Sequence, residues 1–420
     1  MKEIFRLALI NMRTQPLLAA LTVIGSAVSI CLVMMVFIVR QASLADYGNE
    51  PNRSRTLYCC AQVFKRAKGG TESSWMGGRL VNEVFLPLKT PQAIAVFKGI
   101  SKQEVALTGL ESQEIYVRAA NADYFRIFRF DLLAGQTFTP EECHEGTRLV
   151  ILSESVAAHY FSHPAEAVGQ EVSINEDSYV VKAVVRDVAS IMKAAYAQAW
   201  IPCSVEEDFG RNGPYQVAML GESEAGLAAI RDEVEQRLRV HNQTVLPDTL
   251  DLLGQPDRQE DYFYRNSANR IPGLKNIRRE FYIIYLVLLV IPALNIASMT
   301  RSRLRQREAE IGVRRAFGAT RRAILVQTFM ESMVQTLLAG LLGLGLCFLL
   351  LACFGGSITQ GVLNQSTGPT FGFAWTLDLS ILFQPAVWLW TLLFCLILNA
   401  ISSLVPTWRA SRCNIVESLK

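Results

Sequence analysis

The hydrophobic residues of this chain are concentrated in four stretches that are long enough to cross a membrane. They cover residues 17–39, 281–299, 324–354 and 385–406, and the third is most apolar from residue 333 onwards. A helix needs about 20 apolar residues to cross the hydrocarbon core of a bilayer. The pattern therefore predicts four transmembrane α-helices, with about 240 residues, 41–280, between helices 1 and 2.

Residues 41–280 alternate strand-like and helix-like runs, which favours a large α+β domain. Residues 179–185 (YVVKAVV) are a continuous apolar run typical of a buried strand. A helix is predicted over residues 153–161, with Ser153 at its N-cap. A second, amphipathic helix is predicted over residues 224–240, because apolar side chains recur there at helical spacing: Leu227, Ile230, Val234 and Leu238.

The first residues, 1–16, predict an amphipathic helix that lies among the membrane lipids at the interface. Ile4, Phe5 and Leu9 share one face of it, and basic side chains occupy the other. A plain cytoplasmic stub is the alternative. The apolar run that follows is longer than the roughly 7–15 residues of a signal peptide and no clear cleavage site follows it. We therefore expect it to remain as a membrane anchor.

The basic residues predict how the chain is oriented. Lys and Arg beside short loops stay on the cytoplasmic side. Eight arginines lie in the 301–323 loop, and more basic residues lie near both ends of the chain. We therefore expect this loop, the 407–420 tail and both termini in the cytoplasm, with residues 41–280 and the short 355–384 loop on the other side of the membrane. Five basic residues before the second span would favour the opposite orientation: Arg265, Arg270, Lys275, Arg278 and Arg279. They are discounted, since long domains translocate largely regardless of charge.

The composition fits a chain that is partly in lipid and partly in water. Hydrophobic residues make up 50% of it, which is high for a soluble protein, and charged residues make up 19%, which is high for a chain wholly in lipid. The net charge is only +3, and the basic residues flank apolar spans. No nucleic acid is expected as a partner, since phosphate binding needs a clustered, solvent-facing basic patch.

Sequence motifs of catalysis are absent: there is no H-E-x-x-H, G-x-S-x-G, C-x-x-C or G-x-x-x-x-G-K-[ST]. His159 and His163 stand four residues apart, a spacing that can place two imidazoles on one helix face. Pro164 follows at once and no third ligand is evident, so surface histidines are the expected interpretation. We expect no catalytic residue, no cofactor and no metal on this chain.

Four cysteines fall in the predicted extracytoplasmic domain, where disulfides can form. Cys59 and Cys60 are adjacent, and a bridge between neighbours is strained. Two alternatives stay open: a bridge from one of them to Cys143 or Cys203, or four unpaired thiols.

The arginine-rich loop predicts a short helix at the membrane surface. Residues 306–317 are helix-competent, with Glu310 and Arg314 at a favourable i, i+4 spacing. Gly318 suits the C′ position, and Thr320 can cap the next helix. Lipid headgroups or a protein partner must then cover the apolar side chains of the short helix, which include Ile311, Val313 and Phe317. Alternatively, the loop only sets the topology.

Two pairs of small residues permit close helix packing, because they stand four residues apart within predicted spans: Gly25 with Ser29, and Ala339 with Gly343.

The loop sequence REAEIGVRRAFGATRRAIL (307–325) resembles the FtsX-like permease family of ABC transporters, and the match extends through Glu331 and the glycines of the third span. The segments NADYFRIFRFDLLAGQTF, VILSESVAAHYF, VGQEV and YVVKAVVRDV occur in the order of that family's MacB-type periplasmic core domain, and the last residues, 406–420, resemble its closing segment. Gln136 and Ala183 depart from the residues that the family often has there, which weakens assignment to a subfamily.

The resemblance implies a permease subunit in the cell inner membrane that transmits ATPase-driven conformational change to a periplasmic domain, for export or efflux. It also implies a separate ABC ATPase that carries ATP-Mg, a homodimer or paralogous heterodimer, and a periplasmic adaptor or outer-membrane channel. The loop would be the helix that couples to the ATPase, through Arg307, Glu308, Glu310, Ile311, Gly312, Val313, Arg314, Arg315, Phe317 and Gly318.

Three alternatives to this interpretation stay open. Two belong to the same family: a lipoprotein-releasing permease and a regulator of cell-wall hydrolases. The third is a membrane sensor or scaffold without an ATPase, which the lack of a cytoplasmic output domain in this sequence disfavours.

Overall fold

The computed structural model describes residues 16–107, 111–190, 192–204, 210–244, 247–265, 270–306 and 320–363, with the single residues 313, 317, 318, 389, 393, 396 and 397. Two compact units are formed. One comprises Met1–Arg40, Lys275–Gly355 and Leu379–Lys420, and the other comprises Gln41–Leu274 and Gly356–Asp378. The predicted interfacial helix over 1–16, apart from its last residue, and the predicted 407–420 tail lie outside the described residues.

Three long helices and a set of short elements make up the described chain. The helices are α1 (Pro16–Leu44), α2 (Gly78–Leu80, continued by a π-helical turn Val81–Phe85), α3 (Tyr124–Ile127), α4 (Pro140–His144), α5 (Glu154–Tyr160), α6 (Pro164–Ala167), α7 (Leu227–Thr244), α8 (Gln259–Tyr264), α9 (Leu274–Gln306) and α10 (Arg321–Leu363). The strands are β1 (Thr56–Cys59), β2 (Ala61–Lys65), β3 (Thr71–Trp75), β4 (Ala93–Lys98), β5 (Ser101–Ala106), β6 (Gln113–Ala120), β7 (Leu132–Gly135), β8 (Leu149–Ser153), β9 (Glu171–Ile174), β10 (Asp177–Val185), β11 (Ala199–Pro202), β12 (Tyr215–Leu220) and β13 (Thr249–Asp251).

All of the strands belong to the second unit, which is an α+β domain. Its large sheet has the order β1-β12-β4-β6-β11-β8-β10-β9-β5, with β7 paired to β10. β5 also pairs with β6, so six of the strands form a closed circuit of pairings. Two pairs, β8 with β10 and β6 with β11, are parallel, and the others are antiparallel. A smaller sheet has the order β13-β2-β3.

Two hydrophobic cores stabilise this domain. The first is formed by β1, β4, β12 and the buried face of α7, and it includes Val96, Met219, Ile230 and Val234. The second is enclosed by the closed circuit of strands and α5, and it includes Val117, Val150, Leu152, Val156 and Val184. The predicted large α+β domain is confirmed in its secondary structure.

The elements predicted from periodicity are present. The apolar run at 179–185 lies in β10, and the helical spacing at 224–240 corresponds to α7. Leu227, Ile230 and Val234 are buried on α7, and Leu238 packs against the same core. Both predictions are confirmed, with boundaries shifted by a few residues.

Helix α5 begins where the sequence predicts, but its cap differs from the expected one. Ser153 occupies the N-cap position without a capping hydrogen bond from its side chain. Asp187 replaces it: the carboxylate oxygen Oδ1 accepts hydrogen bonds from the Ser155 amide at 3.0 Å and from the Ser155 hydroxyl at 2.8 Å. A capping residue distant in sequence leaves no local signal.

Among the residues that the structure describes, one helical segment is long and apolar enough to cross a membrane. It is Met333–Leu350 of α10, with 18 residues and a mean hydropathy of 2.1. Val23–Ile38 of α1 is apolar but shorter. Most of the predicted fourth span, 385–406, lies outside the described residues. The third predicted span meets both requirements, and the count of four spans stays a prediction.

The long helices extend beyond the predicted spans. α1 continues past 39 to Leu44, and α9 starts before 281 and ends at Gln306, inside the predicted 301–323 loop. α10 continues past 354 to Leu363, so the start of the predicted 355–384 loop is helical. At 1.5 Å per residue, the 43 residues of α10 span about 65 Å, whereas a bilayer core is about 30 Å thick. Hydropathy marks only the apolar part of such a helix.

Candidate functional site

The proposed ATPase-coupling segment is only partly described by the structure. Val313, Phe317 and Gly318 are described, and the other residues of the segment lie outside the described ranges: Arg307, Glu308, Glu310, Ile311, Gly312, Arg314 and Arg315. The Phe317 amide donates to the Val313 carbonyl at 3.0 Å, which makes one helical turn. Gly318 has φ +95°, a left-handed conformation that suits the C′ position, and α10 begins at Arg321, directly after Thr320.

This turn presents apolar side chains outwards. Phe317 is 89% exposed and Val313 is 45% exposed. A phenylalanine with most of its surface uncovered is unfavourable in water, at roughly 25 cal/mol per Å² of apolar area. The turn can therefore offer an apolar contact to a partner protein or to lipid.

One of the small-residue pairs lies at a helix crossing. Ala339 is fully buried, and Gly343 lies against α1 of the same chain. A Cβ added at Gly343 would lie 2.7 Å from the Ala27 carbonyl oxygen and 3.3 Å from the Ile30 Cβ. The two helices approach closely because residue 343 has no side chain.

The other pair, Gly25 and Ser29, has a bond within its own helix: the Ser29 hydroxyl donates to the Gly25 carbonyl at 2.9 Å. On the next turn of α1, Cys31 is buried, and its thiol is hydrogen-bonded to Cys347 of α10. The contact between α1 and α10 therefore continues from Gly343 to Cys347.

The structure places His159 and His163 on different elements. His159 lies in the last turn of α5, within 2.8 Å of the Gln113 side-chain nitrogen. His163 is the N-cap residue of α6. Because α5 ends at Tyr160, the two imidazoles do not share a helix face. Within the described ranges, no three His, Cys, Asp or Glu side chains are grouped as a metal site requires.

All four cysteines of the domain are buried, and three of them are free thiols: Cys59, Cys60 and Cys143. Burial raises the pKa of Cys60 to about 12 and the pKa of Cys143 to about 11, and it raises the pKa of Cys59 well above its usual range. Since the thiolate is the nucleophile, Cys59, Cys60 and Cys143 are expected to react slowly at neutral pH.

A cavity of about 210 Å³ lies beside α3 and α4 and is lined in part by Cys143 and His144. Its polar wall supports the sheet. The Asp123 carboxylate accepts a hydrogen bond from the Ile94 amide, and the Asn121 side chain accepts one from the Val96 amide. The described lining thus has a structural role and does not form a catalytic arrangement.

Sequence reasoning missed a group of buried charges where the domain joins its membrane helices. Arg265 was grouped with the basic residues before the second span, but it is 3% exposed. Its Nε and Nη2 donate to the two carboxylate oxygens of Asp257, at 2.5 and 2.9 Å. The group also contains the buried Glu50 and Arg53 and the partly buried Lys193. The i, i+3 spacing of Glu50 and Arg53 was the only feature of the sequence that could have indicated this ion pair. It could not indicate that both side chains are buried, because distant segments of the chain cover them.

Two family models match this chain, in the order of its two predicted regions. A model of the MacB-like periplasmic core domain matches residues 19–237, which is about half of the chain. A model of the FtsX-like permease C-terminal domain matches residues 282–415.

Several proteins are similar to the chain over most of its length. It is 22% identical to the ABC transporter permease YknZ of Bacillus subtilis, over 82% of this chain and 85% of that protein. It is 21% identical to the macrolide export ATP-binding/permease protein MacB of Salmonella paratyphi A, over 82% of this chain and 52% of that protein. The chain thus spans about half the length of that relative. A crystal structure of the extracellular domain of YknZ covers 46% of this chain and 99% of that domain, with 16% identity and a TM-score of 0.35.

The matched regions have the order that the sequence predicts, a core domain of the periplasmic type followed by the permease domain. The apolar segment Met333–Leu350 lies within the second of them. The chain therefore belongs to the FtsX-like permease family of ABC transporters that carry a MacB-like periplasmic core domain.

Proposed function

We propose that this permease subunit transmits movement from a separate ABC ATPase, which binds ATP-Mg, to its own periplasmic domain for export or efflux. The observation that supports this most directly is the order of the two family matches, which places a large periplasmic domain and a permease domain in one chain. YknZ, of which the chain covers 85%, is named a permease, whereas MacB, of which it covers 52%, is named an ATP-binding/permease protein, and this contrast supports an ATPase on another subunit. ATP hydrolysis is then the reaction of the partner and not of this chain.

The proposed coupling contact is the segment 307–318. The exposed Phe317 and Val313 would bind an apolar surface of the ATPase, and Glu308 and Glu310 would meet polar groups around it. Buried aromatic side chains usually dominate such interfaces. The chain would then cross the inner membrane several times, with this segment and both termini in the cytoplasm.

Two copies, or one copy with a paralogue, would form the transporter, with a periplasmic adaptor or outer-membrane channel as a further partner. The face of α10 that carries Gly343 is covered by α1 of the same chain. The contact between copies is therefore expected on other faces of the helices.

Purification of the full chain in mild detergent, followed by mass spectrometry of the proteins bound to it, tests this function. We expect a stoichiometric ABC ATPase with the unmodified chain, and its loss from Glu310→Arg and Phe317→Ala. Leu341→Ala is the matched control, because Leu341 is also an exposed apolar residue, 62% exposed on α10, outside the proposed contact.

The outcomes separate the interpretations. An ATPase that stays bound to both variants would refute the placement of the coupling contact. If no ATPase accompanies the unmodified chain in several detergents, the sensor or scaffold alternative is favoured, and the loop is an anchor for topology.

A further inference from the structure

Two segments connect the periplasmic domain to its membrane helices: the outgoing segment, residues 41–58, and the returning segment, residues 252–265. They are bonded to each other inside the domain. Tyr58 and Asp257 exchange both backbone hydrogen bonds, at 2.9 and 2.7 Å. The rings of Tyr58 and Tyr262 stack with their centroids 4.3 Å apart. Neither segment can shift alone without breaking these contacts.

The outgoing segment is also bonded to a loop far along the chain, residues 192–196, which we call the junction loop. The Glu50 carboxylate oxygen Oε1 accepts hydrogen bonds from the Ala194 and Ala195 amides, both at 2.9 Å. Its other oxygen accepts one from the Arg53 Nε at 2.7 Å. The Glu50 and Arg53 side chains are at most 1% exposed, so these charged hydrogen bonds are shielded from water.

The returning segment is bonded to the same loop through one ammonium group. Lys193 Nζ donates to the carbonyl oxygens of Tyr262, Phe263 and Arg265, at 3.0, 3.3 and 3.2 Å. Two of these carbonyls lie at the C-terminal end of α8, where backbone carbonyls lack helical partners and attract a cation. Burial lowers the pKa of Lys193, and the three carbonyls supply the bonds that water would otherwise make.

The junction loop is in turn fixed to the large sheet. Arg118, on β6, donates to the Lys193 carbonyl at 3.2 Å and to the Tyr196 carbonyl at 3.1 Å. The Tyr124 hydroxyl donates to the Ala194 carbonyl at 2.9 Å. One short loop thus contacts the outgoing segment, the returning segment and the sheet.

We propose that the junction loop is the element that couples both connecting segments to the sheet, so that movement of the membrane helices displaces the whole periplasmic domain. The inference rests on the proposed function, because it assumes that such movement is driven by the ATPase. It assigns a positioning role to Lys193 and Glu50. A buried charge pair is weak evidence for stability alone, but a fully bonded polar network fixes the geometry of the segments that it joins.

The test uses the complete transporter with its ATPase and one spin label on the periplasmic domain of each of its two copies, at Glu171→Cys, an exposed residue of β9. It measures the distance between the two labels in the nucleotide-free state and after trapping with ATP and vanadate. We expect the complex with the native junction loop to show a nucleotide-dependent change in that distance. Lys193→Met removes the ammonium group while keeping a long side chain. We expect it to lose that change while still binding the ATPase. A folded Lys193→Met complex with the full nucleotide-dependent change would overturn the proposal.

A milder variant keeps the test decisive if Lys193→Met does not fold. Tyr124→Phe removes only the hydroxyl that binds the junction loop, and we expect a reduced nucleotide-dependent change. Tyr160→Phe is its matched control, because the Tyr160 hydroxyl donates to the Val105 carbonyl at the same 2.9 Å distance, away from the loop. Equal responses of Tyr124→Phe and Tyr160→Phe would overturn the proposal.

Failure of the junction loop and failure of the proposed function give different results. If the unmodified chain binds no ATPase, or shows no nucleotide-dependent change, the proposed function is refuted and the role of the loop with it. If the unmodified complex responds and the variants respond equally, only the junction loop is refuted. Lys102→Met, which breaks an ion pair with Glu114 at the surface, should leave the response unchanged.

Discussion

Substitution of Gly343 by alanine should weaken the packing of α10 on α1. The added Cβ would lie 2.7 Å from the Ala27 carbonyl oxygen, closer than a carbon and an oxygen can approach without repulsion, and 3.3 Å from the Ile30 Cβ. The carbonyl oxygen belongs to the backbone of a helix and cannot rotate away. The two helices would therefore have to separate locally.

The size of the effect can be worked out by comparison with Gly345, two residues further along α10. Glycine to alanine in a helix gains about 1 kcal/mol in intrinsic helix propensity at either position. Among the residues that the structure describes, no atom lies within 4 Å of a Cβ added at Gly345, so we expect Gly345→Ala to show this gain alone. At Gly343 the overpacking costs about 1–3 kcal/mol. We therefore expect Gly343→Ala to be less stable than Gly345→Ala by about 1–3 kcal/mol.

The assay is equilibrium unfolding of both purified variants in mixed detergent micelles, followed by circular dichroism. Using two alanine variants of one helix cancels the propensity gain and the effect of the detergent on the unfolded state. Equal stabilities for Gly343→Ala and Gly345→Ala would refute the close crossing of α1 and α10.

Three further predictions concern the periplasmic domain. Asp257→Asn should lower the free energy of unfolding by about 3–5 kcal/mol, because it leaves the buried Arg265 without a counter-charge; chemical denaturation measures this. Thr139→Ala should cost about 1 kcal/mol, because the Thr139 hydroxyl and the Glu142 carboxylate form a capping box at the start of α4; thermal unfolding measures this. Asp261→Asn should raise the unfolding temperature at pH 7, because burial, together with neighbouring carboxylates, raises the pKa of Asp261.

The pH dependence of the last prediction follows from the sign of the shift. Because the pKa of Asp261 is higher in the folded state, ionisation of this carboxyl disfavours folding. The destabilisation is fully present above the folded-state pKa and disappears as the pH falls below the unfolded value of about 3.9. The advantage of Asp261→Asn should disappear over the same range, and an advantage that persists at pH 3 would contradict this explanation.

The predictions for Asp257→Asn and Thr139→Ala have matched controls. Glu235→Gln breaks an ion pair with Arg239 whose side chains are 62% and 75% exposed, and it should cost about 0.5 kcal/mol or less. Ser153→Ala changes an N-cap residue without a capping bond, so its cost through α5 should be smaller than that of Thr139→Ala. If Asp257→Asn destabilises the domain no more than Glu235→Gln does, the argument from the buried ion pair is wrong. If Thr139→Ala and Ser153→Ala are equally destabilising, the argument from the capping box is wrong.

The sequence predicted elements whose stability depends on local pattern. The apolar run of β10 and the apolar face of α7 are visible from side-chain periodicity alone, because each element buries one continuous set of residues. Gly318 was predicted to be left-handed for an equally local reason. The ends of the predicted spans were harder to place, since hydropathy reports the apolar part of α9 and α10 and not where their backbone hydrogen bonds end.

Features that depend on distant segments could not be predicted. Asp187 caps α5 from beyond β10, and Lys193 binds carbonyls of α8 some seventy residues away in sequence. No periodicity connects such residues, because the contact exists only after the sheet has formed. The proposed coupling segment resembles the family strongly in its sequence. The structure describes only three of its proposed contact residues, Val313, Phe317 and Gly318, so the rest of the segment stays a prediction.

The burial of Arg265 also changes the argument about membrane orientation. Counted from the sequence, five basic residues before the second span oppose an arrangement with both termini in the cytoplasm. Arg265 is bound by Asp257 inside the domain, and its Nη1 donates to the Arg270 carbonyl at 3.0 Å. A guanidinium neutralised in this way contributes little net charge at the membrane surface. The opposing charge is therefore smaller than the count of basic residues indicates.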